Sequence, residues 1–244
     1  MTLLICSDGL IGDFLGVVPV MIELAKHDEL HLKIHHEAEP IFKLIPKKYN
    51  IKLQEKGLSS YARVIELDIS KAFTISHENN YHMSQSHFAF LGLPVPENAV
   101  KAELEFKAID VPVYDFILAP FSRSLPPQER WSQEQWQRLT NLLPDYSFCL
   151  IGHKRDEKNF IKGENVTQMY NESLVKVISI MKNARRGLIS VVSGPSHLAF
   201  HVGVKNCLLT NQNMTWGNNP DAVKISDYIP ELKAERVIEV LKSL

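Results

Sequence analysis

The chain has 244 residues, of which 45% are hydrophobic and 23% charged, and its formal net charge is −1. It can therefore bury one large core or two small ones, and a charged fraction near the globular average excludes wholesale disorder. The near-zero charge offers no global attraction to nucleic acid and no acidic excess for a basic partner.

Thr2 to Cys6 is a short apolar run that stops at Ser7-Asp8-Gly9, which predicts a buried strand and a turn. No basic region precedes it, so it does not read as a secretory leader. The stretch that follows ends as a helix, with Val20, Met21, Leu24 and Ala25 on one face and Lys26 and His27 suiting its C-terminal dipole. Pro19 either sits in the first turn of that helix or kinks a longer one. Leu30 to His35 alternates like a half-buried strand. A short helix is expected over 39–48, a weak strand over Ile51 to Leu53, a strand over Arg63 to Asp68 and a helix over 81–92.

From Val111 the pattern is cleaner. Asp115 to Pro120 predicts a buried strand, and a polar loop, FSRSLPPQERW, follows it. Ser132 with Gln135 three residues on is a capping box, opening a helix with Trp136, Leu139 and Leu142 on one side. Ser147 to Gly152 is a strand. Ser173 caps a helix bearing Leu174, Val177, Ile178 and Met181. Gly187 to Val192 is a strand that turns through Ser193-Gly194-Pro195-Ser196-His197 into a helix over 197–202. Asn206 to Thr210 is a strand, and Leu232, Val237, Ile238 and Leu241 mark a closing helix from Glu231 onward. Alternating strands and helices argue for parallel sheets covered on both faces. The Pro-containing AIDVPVYD segment is a plausible joint, giving domains 1–110 and 111–244. No apolar run reaches the roughly 18 residues of a membrane span.

Cys6, Cys149 and Cys207 each lie in an apolar run without CxxC spacing. They read as buried thiols, with neither a zinc site nor a redox pair expected, and they suit a reducing cytoplasm. The ten histidines are scattered, no HExxH occurs, and His35, His36, His82 and His87 read as non-ligands. No metal is expected.

In open parallel sheets ligands sit beyond the carboxyl ends of the strands, and three loops there carry unusual chemistry. The first holds Gly9, Gly12 and Gly16, which permit close backbone approach, with Asp13 where the turn enters the helix. By itself Asp13 reads as an N-cap. The loop is not GxGxxG, so a dinucleotide fingerprint is absent. The second holds Ser122, Arg123 and Arg130. An arginine fork suits a diphosphate, and a solvated loop arginine is the equal alternative. The third is Ser193 to His197, whose helix N-terminus could face an anion or simply start the helix.

Several stretches carry a resemblance: Ile11-Gly12-Asp13-Phe14-Leu15 with Pro19, Pro120-Phe121-Ser122 followed by Arg130-Trp131, Asn171-Glu172-Ser173-Leu174, and Val192-Ser193-Gly194-Pro195-Ser196-His197-Leu198-Ala199. In order and spacing they resemble glycosyltransferase family nine, the ADP-heptose:lipopolysaccharide heptosyltransferases. The resemblance covers most of the C-terminal half and the start of the N-terminal half. It implies a GT-B-like α/β architecture of two Rossmann-like domains, with parallel sheets facing a cleft and a reduced N-terminal, acceptor-side domain. The C-terminal domain would bind the nucleotide-sugar.

The implied activity is inverting, metal-independent transfer of a sugar, heptose being one candidate, from a nucleotide-diphospho-sugar to a cell-surface glycan or glycolipid. Asp13 would be the catalytic base. Gly12, Ser122, Arg123, Arg130, Ser193, Gly194, Pro195, Ser196 and His197 would contact the donor. No cofactor beyond the donor itself is implied, and no nucleic-acid partner. A cytoplasmic location with peripheral contact to a membrane surface follows from the same resemblance. Val192 stands where the family has an acidic residue. That departure and the short first half favour a second reading, a non-catalytic relative that binds a nucleotide-sugar or scaffolds an assembly. A nucleotide-sugar epimerase or hydrolase would need further carboxylates facing the donor.

Overall fold

The computed structural model describes residues 1–6, 11–123, 125–153, 156, 160–210 and 219–242. They form two compact units. The first holds Met1–Phe106 together with Asn219 and Pro220; the second holds the rest from Lys107 onward.

The first unit is built on four parallel strands: β1 (Thr2–Cys6), β2 (Leu30–Ile34), β3 (Ile51–Leu53) and β4 (Arg63–Glu66), in the order β3-β2-β1-β4. Strand β1 lies inside the sheet, and its LLIC run is apolar on both faces because both faces are covered. Helix α1 (Ile11–Ala25) buries every residue from Phe14 to Met21. Pro19 lies inside it and the helix runs unbroken past it, so of the two readings the longer helix holds. Burial of this face outweighs the roughly 3 kcal/mol that an interior proline costs. Asp13 lies within the first turn of α1.

The helix expected over 39–48 is shorter: α2 runs Glu39–Phe42 and Leu44 and Ile45 enter the core as irregular chain just before Pro46. Helix α3 (Ile69–Asn79) was not legible as apolar periodicity. Its ends do carry signals: Asp68 accepts the Lys71 N–H at 3.0 Å, and Asn80 closes it in the left-handed region at φ 54°. Helix α4 (Met83–Phe90) occupies the centre of the expected 81–92 helix. His82 takes the N-cap, accepting the Ser84 N–H while its own N–H is bonded to the Gln85 side chain.

The second unit has six parallel strands: β5 (Phe116–Ala119), β6 (Phe148–Gly152), β7 (Val166–Tyr170), β8 (Gly187–Val191), β9 (Asn206–Leu209) and β10 (Val223–Ile225). Their order is β10-β9-β8-β5-β6-β7. The edge strands β7 and β10 escape a reading based on apolar runs, because edges bury less and tolerate the polar VTQMY and the short VKI. Helices α5 (Gln133–Leu142), α6 (Leu174–Asn183), α7 (Gly194–Val202) and α8 (Ala234–Leu241) cover the sheet. Helix α7 starts at Gly194, three residues before its expected start. Proline is well suited to a first helical turn, and Pro195 sits there.

Only half of the capping box on α5 forms. Ser132 accepts the Gln135 N–H at 3.2 Å, but the Gln135 side chain turns away to accept the Ala234 N–H at 2.9 Å. That bond ties the start of α8 to α5. Beside it, the buried Trp131 donates its indole N–H to the Leu232 carbonyl at 2.7 Å and meets Trp136 edge-on. The buried cysteines behave as read: burial pushes the Cys149 and Cys207 thiols up to about 12, leaving them unreactive at neutral pH.

Candidate functional site

Each sheet reverses its strand order at one place. Numbered within each unit, the strands run 3-2-1-4 in the first and 3-2-1-4-5-6 in the second. The connection out of the first strand goes one way and the later strand is laid on its other side. Loops therefore part at the carboxyl ends of β1 and β4, and again at those of β5 and β8. Such switch points are where open α/β sheets bind ligands.

In the first unit Gly12 and Asp13 lie just beyond β1, at this pole. Both are half-buried, and Asp13 sits in the first helical turn, where the helix dipole favours its charge. Ser7 to Leu10, including Gly9, lie outside the described residues.

In the second unit the two sequence-nominated segments leave neighbouring strands. Ser122, Arg123 and Arg130 follow β5, and Ser193 to His197 follow β8; the strands pair in register, with Ala119 opposite Ser190. Ser122 is buried and both arginines are exposed. Arg130 donates through Nε to the Leu125 carbonyl at 2.9 Å. That bond fixes the guanidinium by its own loop and leaves the two terminal nitrogens for another acceptor.

The Ser193–His197 turn is more internally bonded than its sequence suggests. Ser196 Oγ accepts the Ser193 N–H at 3.0 Å and donates to the Ser193 carbonyl at 2.7 Å. The same carbonyl accepts the Ser196 and His197 N–H groups, Ser193 Oγ donates to the Val191 carbonyl, and Pro195 has no N–H. The Gly194 N–H is thus the amide of this turn left for an anion, reinforced by the dipole of α7. Burial pushes the His197 imidazole down to about 4, because nothing offsets the loss of water around its charged form. The ring is therefore neutral at physiological pH and contributes no positive charge to the turn. Val192, half-buried, is the residue between the end of β8 and this turn.

Two features at this pole carry no motif. Gly152 closes β6 beneath the rings of Tyr170 and Phe121, and Asn171, just past β7, is left-handed at φ 58°. The glycine ending SFCLIG was the available signal. Among the described residues no group of three or more His, Cys, Asp or Glu could hold a metal ion, and no helix is long and apolar enough to cross a membrane. A hollow of about 500 Å³, lined by residues such as Asp115, Tyr146, Arg185, Arg186 and Lys205, opens at the amino-terminal ends of β5, β8 and β9. It lies at the pole opposite the switch point, away from the candidate site.

No family model matches the sequence, and no curated protein matches it. Solved structures do. The iron-containing dodecameric glycosyltransferase TibC of enterotoxigenic E. coli superimposes with a TM-score of 0.72 at 16% identity, over 100% of this chain and 78% of that one. E. coli heptosyltransferase WaaC with ADP-2-deoxy-2-fluoro heptose gives a TM-score of 0.67 at 15% identity, over 100% and 99%. A family 9 glycosyltransferase of Veillonella parvula gives 0.68 at 14% identity, over 99% and 96%. The fold is that of the heptosyltransferases. At these identities the likeness concerns the heptosyltransferase fold alone, and it supports the GT-B-like architecture expected from the sequence.

Proposed function

We propose that the chain is an inverting glycosyltransferase that moves a sugar from a nucleotide-diphospho-sugar to a glycan or glycolipid acceptor. The observation that carries the reading is the pairing of segments at the second switch point. Two arginines leave β5 beside a helix N-terminus that leaves β8, on a fold shared with proteins that bind ADP-heptose. A diphosphate needs that combination of fixed forked cation and backbone N–H.

The chemistry runs as a single displacement. The acceptor oxygen bonds to the anomeric carbon, the bond from that carbon to the diphosphate oxygen breaks, and the electron pair leaves on the diphosphate. Attack opposite to departure inverts the centre. Asp13 takes the proton of the attacking hydroxyl. Arg130, with Arg123, meets the charge that grows on the leaving diphosphate, while Gly194 N–H and neutral His197 hydrogen-bond it. Ser122, Ser193, Pro195, Ser196 and Gly12 shape the close approach. No step in this scheme is routed through a metal ion or a cofactor.

The test is nucleoside-diphosphate release from a panel of nucleotide-sugars, with wild type and Asp13→Asn. Loss of turnover with retained donor binding is the expected result. Val192, in place of an acidic residue, favours one other reading, a protein that binds the donor without turning it over. Donor binding with no release in the wild type, across glycan acceptors, would establish that reading instead. Absence of any nucleotide binding would sink both.

A further inference from the structure

We propose that the hollow at the amino-terminal ends of β5, β8 and β9 binds a phosphate monoester, with Arg186 as its anchor. The proposal goes beyond the nucleotide-sugar reading and does not depend on it.

Neighbouring strands bring the residues together. Arg185 and Arg186 link α6 to β8, and their backbones are pinned. The Arg185 N–H donates to the Tyr114 carbonyl and the Arg186 N–H to the Asp115 carbonyl, each at 2.9 Å. Lys205 stands just before β9, and its carbonyl accepts the Leu188 N–H at 2.9 Å, which sets it beside the head of β8. Tyr146 reaches the hollow from the turn before β6, and Leu241 from the end of α8. All of these belong to the second unit.

The arginines are not equivalent. Arg185 is engaged: its Nη1 lies 3.3 Å from Asp115 Oδ1. Asp115 spends its other oxygen on the Ser147 N–H and hydroxyl, both at 2.8 Å. The Arg186 guanidinium instead lies 4.7 Å over the Tyr146 ring and 6.0 Å from that of Phe116, which is buried and meets Tyr146 edge-on. Among the described residues its side chain makes no ion pair and no hydrogen bond. A ring takes the face of a guanidinium, whereas the N–H donors lie in its plane. The stack therefore orients the fork without occupying it.

Charge and size choose the ligand. Arg185, Arg186 and Lys205 set their positive charges against the carboxylates of Asp115 and Asp145. A carboxylate ligand would only repeat what Asp115 already supplies to Arg185. A phosphate monoester carries about two negative charges at neutral pH and three acceptor oxygens, enough to meet the Arg186 fork and the Lys205 ammonium together. The hollow, at about 500 Å³, is larger than a bare phosphate and of the size of small-molecule sites. Tyr146 and Leu241 offer the organic remainder an apolar wall. A soluble phosphate ester and a phospholipid headgroup both carry this group.

Nuclear magnetic resonance mapping of backbone amide shifts in the full chain, titrated with glycerol phosphate, glycerate and glycerol, tests this. Glycerol phosphate should move the amides of Asp115, Arg185 to Gly187 and Lys205, and its effect should weaken as salt rises. Glycerate and glycerol should not match it. Arg186→Gln should weaken the response roughly 10-fold or more, as loss of a charge-assisted hydrogen bond does. Arg186→Lys should retain part of it, and Arg130→Ala should leave it unchanged. Arg186 is exposed, so neither of its substitutions removes buried structure. Sedimentation with phosphatidylcholine vesicles, with and without phosphatidic acid, separates the two sources. Capture by phosphatidic acid that depends on Arg186 assigns the group to a lipid headgroup; shifts without capture assign it to a soluble ester. Absence of shifts at the hollow, shifts that survive Arg186→Gln, or an equal response to glycerate would overturn the proposal. Shifts confined to the Ser193–His197 turn would overturn it too, and leave the diphosphate site standing.

Discussion

The imidazole of His87 on α4 fills the space that a side chain at Gly16 on α1 would need. A Cβ on Gly16 would stand 3.5 Å from His87 Nε2 and 3.2 Å from Met83 Cβ. His87 is wholly buried, and neither ring nitrogen has a hydrogen-bond partner among the described residues. Burial pushes its imidazole down to about 3. The helix it supports carries Asp13 one turn earlier, so the state of His87 bears on the candidate site.

This buried ring makes the first unit acid-sensitive. Unfolded, it takes its proton near the ordinary value of 6.5; folded, it resists until about 3. The unfolded chain therefore binds more protons between those values. Stability is fully present above the upper one and falls with pH through the window, by up to about 1.4 kcal/mol per pH unit. His197 adds the same trend in the second unit between 6.5 and about 4. Urea unfolding followed from neutral pH downward should show the decline, and His87→Leu should flatten it for the first unit. At neutral pH the leucine should be neutral or stabilising, since it removes two unpartnered polar atoms. An unchanged pH profile in that variant would show that the ring is solvated after all.

Gly16→Ala probes the same contact from the other side. Alanine gains about 1 kcal/mol of helix propensity over glycine. Against that, overpacking a tight core site costs typically 1–3 kcal/mol. Because the nearest atom is the Cβ of Met83 on α4, which cannot swing away, the packing loss should win by about 1 kcal/mol. Denaturation midpoints at neutral pH decide it, and a stabilised variant would mean that α1 and α4 separate freely.

The unequal legibility of the chain follows from burial. Strands β1, β5, β6 and β8 lie inside their sheets, so LLIC, FILA, FCLIG and GLISV are almost wholly apolar, Ser190 being the exception, and mark themselves. Strands β7 and β10 and helix α3 bury little and leave weak patterns. Helix α4 is the opposite case: Ser84, Ser86 and His87 are fully buried, so its polar sequence conceals a core element. At the candidate site, Asp13, Arg130 and the Ser193–His197 turn were legible because their spacing matches a known pattern. Gly152, Tyr170 and Asn171 were not, since a glycine beneath a ring and a left-handed asparagine acquire meaning only when β6 and β7 are paired.

Gly187 should be the least replaceable of the described glycines. It opens β8 at φ 117°, and a Cβ there would lie 2.5 Å from the Lys205 carbonyl oxygen, a backbone atom. That carbonyl accepts the Leu188 N–H at 2.9 Å, so it cannot retreat without losing the first rung between β8 and β9. Gly187→Ala should cost about 3 kcal/mol or more, combining left-handed strain with lost pairing. A thermal midpoint within a few degrees of wild type would contradict the packing at the head of β8.

Arg130 separates anchoring from charge. Its Nε bond to the Leu125 carbonyl holds the loop, and its terminal nitrogens are the donors assigned to the diphosphate. Both Arg130→Ala and Arg130→Lys remove the Nε bond, so any loosening of the loop is common to the two. Only lysine keeps a positive charge, and it lacks the planar fork that grips two oxygens. A charge-assisted hydrogen bond is worth roughly 1.5–3 kcal/mol, so alanine should weaken nucleoside-diphosphate affinity by about 10- to 100-fold. Lysine should recover part of this, and the recovered part should shrink as salt rises, because a point charge on an exposed loop is screened where a bidentate contact is less so. Calorimetry at low and high ionic strength reads both effects. If alanine and lysine weaken binding equally at every salt concentration, Arg130 acts only by holding its loop, and the leaving diphosphate must be met by Arg123 and the Gly194 N–H instead.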